Sequence, residues 1–169
     1  EAVAHAVNAK FATSGQDCLA ANRIFVQRDI YDDFLDKYAK AIADLRVGNG
    51  IEEYVEIGPL MHDRAVAKCE EHVADARAKG ARVVTGGKKM GGLFFAPTLL
   101  ADVTEDMKIF SEETFGPVAP VMAFDTEDEV VAKANDSEYG LAAYLLTKDN
   151  DRAARVSNAL EYGMVALNC

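Results

Sequence analysis

The chain has 169 residues, 50% of them apolar, and 18 Lys+Arg against 28 Asp+Glu give a net charge of −10. That acidic balance argues against a nucleic-acid binder, and a 27% charged fraction is too ordinary for a disordered chain. No apolar run approaches the ~18 residues a membrane helix needs, and a chain of this length buries roughly 70% of its unfolded surface, enough for one self-standing core.

The start, Glu1-Ala2-Val3-Ala4-His5, has no initiator Met and neither a basic region nor a greasy signal core. It is read as a cytoplasmic piece of a longer polypeptide. The first ten residues form a weakly periodic helix ending near Lys10-Phe11, followed by the polar turn Thr13-Ser14-Gly15-Gln16-Asp17 and then Cys18. A short helix is expected over Leu19-Ala20-Ala21-Asn22, and a short strand over Arg23–Gln27. Tyr31, Phe34, Leu35, Tyr38, Ile42 and Leu45 then share one helical face, with Gly48 as the stop. A second helix runs from about Asp63 to Lys79 with Val66, Cys69, Val73 and Ala76 on its stripe, closing at Gly80.

Ala81–Thr85 reads as a strand, the glycines at 86, 87, 91 and 92 as a flexible turn, and Phe94-Phe95-Ala96-Pro97 as an edge or a strand end. Beyond it come a strand (Val118–Phe124), a helix opened by the capping box Thr126-Glu127-Asp128-Glu129, a strand (Leu141–Thr147), a helix (Asp149–Leu160) and a last strand (Met164–Leu167). Strand and helix in turn predict an α/β domain with a mostly parallel sheet and flanking helices, one domain over residues 1–169.

No G-x-G-x-x-G follows a strand and no G-x-x-x-x-G-K-[ST] occurs, so the chain has no phosphate cradle of its own. Cys69-x-x-His72 has half of a zinc spacing without a second pair, and reads as a buried thiol beside a surface histidine; no metal is expected. Three widely spaced cysteines, Cys18, Cys69 and Cys169, argue against a secreted disulfide framework.

Cys18 stands where a glycine-containing turn meets the expected short helix. Exposed backbone N–H groups and a helix's positive end would favour the thiolate and supply donors for an oxyanion. The same thiol reads equally as a small residue capping a buried turn. In Ser111-Glu112-Glu113-Thr114-Phe115-Gly116-Pro117, two carboxylates could grip ribose hydroxyls and an exposed ring could stack on a planar ligand. The same composition also makes a solvated acidic turn with a Phe anchor.

The run Phe11-Ala12-Thr13-Ser14-Gly15-Gln16-Asp17-Cys18, the turn Glu113-Thr114-Phe115-Gly116-Pro117, Tyr139-Gly140-Leu141 and Gly163–Asn168 stand in an order and spacing that resembles the aldehyde dehydrogenase superfamily over essentially the whole chain. Within it the sequence is most similar to the succinate-semialdehyde dehydrogenases. The resemblance implies the catalytic domain of an NAD- or NADP-dependent enzyme that oxidises a small aldehyde to an acid. It implies Cys18 as nucleophile, with its N–H as an oxyanion donor, Glu113 on the nicotinamide ribose and Phe115 beside the nicotinamide. It further implies a general base, a second oxyanion donor, a nucleotide-binding half and an oligomerising tail, none of which these residues supply. The full protein is thus expected to be a homo-oligomer and this piece inactive alone.

Some succinate-semialdehyde dehydrogenases carry an arginine for the substrate carboxylate where this chain has Ala12, and a second cysteine where it has Ala20. The carboxylate is therefore expected to find its cation elsewhere. Two alternatives stand beside this reading: a CoA-acylating aldehyde dehydrogenase domain, and a non-catalytic α/β domain with Cys18 as a structural or redox-sensing thiol.

Overall fold

The computed structural model describes residues 1–169. In chain order the elements are α1 (Ala2–Phe11), β1 (Ile24–Gln27), α2 (Tyr31–Ala43), α3 (Asp63–Ala78), β2 (Arg82–Thr85), β3 (Lys89–Gly91), β4 (Phe94–Phe95), β5 (Thr98–Ala101), α4 (Lys108–Ser111), β6 (Val118–Phe124), α5 (Glu127–Asn135), β7 (Ala142–Leu145), α6 (Asn150–Ala159) and β8 (Met164–Leu167). No helix is long and apolar enough to cross a membrane.

Period-two alternation along three strands assigns residues to the two faces of a four-stranded sheet ordered β1-β6-β5-β2. Val26, Leu99, Ala101, Ala119 and Val121 join one core with α1 and α2, through Phe11, Phe34, Leu35, Tyr38 and Ile42. Leu100, Val118 and Met122 join the other core with α3 and α4, through Val66, Cys69, Val73, Ile109 and Phe110. The β1–β6 and β5–β6 ladders are parallel, while β2 runs antiparallel to β5. Pro120, lacking an N–H, precedes the first β1 pairing at Ile24↔Val121.

Several elements differ from those the sequence predicts. Thr98–Ala101 is a strand buried on both faces between β2 and β6, so it carries no alternation to reveal it. Part of the glycine-rich turn is the two-stranded hairpin β3–β4. The last two strands make a separate parallel pair, β7–β8, bridged by α6. Thr126 caps α5 by accepting from the Glu129 N–H, but Glu129 reaches back to the Asp125 N–H rather than to Thr126. The imidazole of His62 caps α3, its Nδ1 accepting from the Ala65 N–H.

Candidate active site

Where α1 ends, the chain makes a loop closed at its base by Ala21 N–H donating to Ala9 O and by Lys10 Nζ donating to Asn22 Oδ1 at 3.4 Å. Ser14 and Gly15 both take positive φ, +59° and +68°, which turns the backbone sharply before Gln16. Ser14 Oγ accepts from Gly58 N–H, and Gln16 clasps the next segment from both sides: its amide donates to Pro59 O, and its carbonyl accepts from Met61 N–H. These bonds give the polar turn a structural purpose that its composition did not show.

Cys18 lies exposed in the turn Asp17–Ala20, and its backbone N–H has no acceptor within the chain. The helix expected over residues 19–22 is absent. The Asp17 carboxylate takes the Leu19 N–H at 2.7 Å, an Asx turn that competes with helix formation, so the helix end expected to follow the thiol does not form. Tyr144 on β7 donates its hydroxyl to Leu19 O at 3.0 Å and ties this turn to the second sheet.

The acidic turn follows α4. Glu112 is exposed, Glu113 half-buried and Thr114 buried, and Phe115 is half-buried with φ +52°. The two motifs meet through backbone: a Cβ built on Gly15 would stand 2.1 Å from Gly116 O. One built on Gly116 would stand 2.5 Å from Cys69 Sγ. Both positions require glycine, because real Cβ contacts do not fall so short. Cys69 is fully buried, and burial pushes its thiol up to about 12, which leaves it inert. His72, expected at the surface, is buried completely: its Nδ1 lies 2.9 Å from Thr114 Oγ1 and its Nε2 3.3 Å from Glu112 Oε2.

Cys18 and Glu113 line one cavity of about 600 Å³, walled mainly by apolar residues of α1, β1, α5, β7 and α6; Phe115 does not line it. Lys10 is buried at the base of the Cys18 loop. Desolvation lowers its ammonium to about 8, against the opposing pull of Cys69 and Glu113. The cavity's two arginines are both engaged. Arg23 donates to Lys133 O, Ala134 O, Asp136 O and the Tyr162 hydroxyl, capping the carboxyl end of α5, and Arg152 pairs with Glu127. Arg23 is thereby spent inside the fold, whereas Arg152 stays partly exposed, at 3.5 Å from a carboxylate that Arg155 already holds on both oxygens. The sequence does not single out Lys10 and Arg23, charged side chains on partly polar runs with no motif around them, whereas His72 stands in Cys69-x-x-His72 and is expected at the surface, although the structure buries it.

The pattern of the aldehyde dehydrogenase family matches residues 1–169. A succinate-semialdehyde dehydrogenase [NADP(+)] of Escherichia coli (strain K12) is 51% identical over 170 residues, covering 99% of this chain and 35% of that protein. A 3-sulfolactaldehyde dehydrogenase of Pseudomonas putida is 52% identical over 169 residues, with the same coverage of 99% and 35%. The crystal structure of an aldehyde dehydrogenase from Brucella melitensis biovar abortus 2308 superposes with a TM-score of 0.98 at 54% identity, over 99% of this chain and 35% of that one. The chain thus spans about a third of the length of the relatives it matches.

Proposed function

The chain belongs to the aldehyde dehydrogenase family, and from that premise we propose that it is the nucleophile-bearing catalytic domain of an NAD(P)-dependent enzyme oxidising a small aldehyde, succinate semialdehyde first among candidates, to its carboxylic acid. The observation that carries this reading is the seating of the Cys18 turn against the Glu113 turn, backbone to backbone at Gly15 and Gly116, with both residues on one cavity.

In the proposed mechanism the Cys18 thiolate attacks the aldehyde carbon, and the carbonyl pair moves to oxygen, giving a thiohemiacetal oxyanion. The Cys18 backbone N–H, which has no acceptor in the chain, is the donor assigned to that oxyanion. NAD(P)⁺, when bound, supplies the acceptor for the hydride that leaves the thiohemiacetal carbon. Glu113 on the cavity wall fits its ribose, since a carboxylate accepts from paired hydroxyls and the surrounding wall is largely apolar. The role of Phe115 beside the nicotinamide rests on the motif match alone, because the ring stands off the cavity. Water then adds to the acyl thioester carbon and the C–S bond breaks, releasing the acid and restoring the thiolate. The base that activates this water, the second oxyanion donor and the cation for a substrate carboxylate belong, in this proposal, to parts of the polypeptide outside these 169 residues. A homo-oligomer and a cytoplasmic location are proposed with it, the latter supported by three unpaired thiols.

The test is made on the full-length enzyme with succinate semialdehyde and NAD⁺ or NADP⁺, following absorbance at 340 nm. Activity is expected, and Cys18→Ser is expected to lower kcat at least about a thousandfold. A wild-type rate shared by Cys18→Ser would remove the nucleophile from the proposal, and acyl-CoA formed on adding coenzyme A would favour the acylating alternative.

A further inference from the structure

Helix α3 presents Cys69 and His72, three residues apart on one face, to the Glu112–Pro117 turn. Cys69 abuts Gly116 at one end of that turn, and His72 reaches Thr114 and Glu112 on either side of Glu113. Two further bonds from the same helix fasten the approach to the turn: the Asp75 carboxylate accepts the Lys108 N–H, and Glu71 pairs with the Lys108 ammonium. We propose that His72 is the positioning residue for Glu113, clamping the flanking residues so that the intervening carboxylate is held at the cofactor's ribose. This proposal rests on the reading of Glu113 given above.

The chemistry of the partners fixes the clamp's polarity. A carboxylate only accepts, so Nε2 carries the proton and donates to Glu112; Nδ1 is then bare and accepts from the Thr114 hydroxyl. Burial holds the imidazolium down, against the opposing pull of Glu112, which keeps the ring in this neutral, two-handed form. Thr114 is 1% exposed and His72 0%, so the inner bond is shielded from water, while Glu112, with half its side chain in solvent, closes the outer side. Glu113 itself needs no direct bond: its neighbours in sequence are both held, leaving one residue between two fixed points.

The test uses the full-length enzyme and four variants, His72→Phe, His72→Asn, His72→Gln and Thr114→Val, with Glu113→Gln as reference. For each, the KM of NAD⁺ and NADP⁺, the KM of the aldehyde, kcat, the thermal midpoint and the iodoacetamide rate of Cys18 are measured. His72→Phe is expected to raise the cofactor KM about tenfold, the scale of one net hydrogen bond, while leaving the aldehyde KM and Cys18 alkylation within about twofold. Asn keeps an amide near Nδ1 and Gln one near Nε2, so each is expected to restore part of the affinity; Thr114→Val is expected to reproduce the loss of the inner bond without touching the histidine.

A cofactor KM that stays within about twofold in all four variants, while Glu113→Gln raises it, would overturn the proposal and leave the Glu113 reading standing. If Glu113→Gln itself leaves the cofactor KM unchanged, the Glu113 reading falls, and the clamp with it. A rise in every constant together, tracking the thermal midpoint, would also overturn the proposal by reducing His72 to a core residue. Should His72→Phe fail to fold, Thr114→Val and His72→Asn carry the same comparison.

Discussion

Replacing the buried lysine at the base of the Cys18 loop should stabilise the domain, by an amount that depends on pH. In the folded chain the Lys10 ammonium titrates at about 8 instead of 10.5, chiefly because burial penalises its charged form. At 1.36 kcal/mol per unit, that gap corresponds to about 3 kcal/mol against folding wherever the unfolded chain carries the proton and the folded one must carry it too. Lys10→Met keeps most of the apolar stem and removes the charge, and it forfeits a long bond to Asn22 whose net contribution is about 1 kcal/mol or less. The variant should therefore be more stable by about 2 kcal/mol at pH 7, a rise in thermal midpoint of about 4–8 °C for a domain of this size.

The sign of the pH dependence follows from proton counting. Between pH 8 and 10.5 the unfolded wild-type chain binds a proton that the folded one does not, so wild-type stability climbs relative to the variant through that window. The advantage of Lys10→Met should be full below pH 8, shrink steadily above it, and vanish or reverse near pH 10.5. Urea unfolding of both proteins at several pH values between 7 and 10.5 measures the difference directly, with other titrating groups cancelling. A variant less stable at pH 7, or an advantage that stays constant across the window, would refute the argument.

Two further outcomes are expected of this chain. Iodoacetamide near neutral pH, followed by mass spectrometry, should label exposed Cys18 far faster than Cys69, which is buried and pushed up to about 12; comparable rates would mean that the core opens easily or that the Cys18 turn is shielded. Gly15→Ala should destabilise the domain by more than about 2 kcal/mol, since a positive φ and a backbone clash add, and unchanged urea and thermal midpoints would show that the two turns do not touch as described.

Much of the scaffold was legible because it is periodic. The stripe from Tyr31 to Ile42 predicted α2, the apolar run Val118–Phe124 predicted β6, and Asp149 marked the start of α6. The strand Thr98–Ala101 was not legible, since four residues covered on both faces show no alternation and Pro97 reads as a stop. Strand–helix alternation foretold parallel pairing but not which strands become neighbours, so the separate β7–β8 pair came only with the structure. At the site, the residues named from sequence are those with motif spacing, Cys18, Glu113 and Phe115, of which Cys18 and Glu113 line the cavity and Phe115 does not. Their meeting was hidden because it is made by the backbones of two glycines. His72 is expected at the surface because a polar residue beside the stripe of Val66, Cys69, Val73 and Ala76 looks like the solvent boundary, whereas the buried Thr114 hydroxyl gives it a partner inside.

The contact between Gly15 and Gly116 also bears on how this protein can drift under mutation. A clash between two side chains can be relieved by trimming either one, and such pairs exchange size over generations. Here the obstacle met by any side chain at position 15 is a main-chain carbonyl, and position 116 is already trimmed to hydrogen. No second-site substitution at either position can therefore compensate for a change at the other. A mutational library should hold both constant and place its diversity on the side chains of the cavity wall.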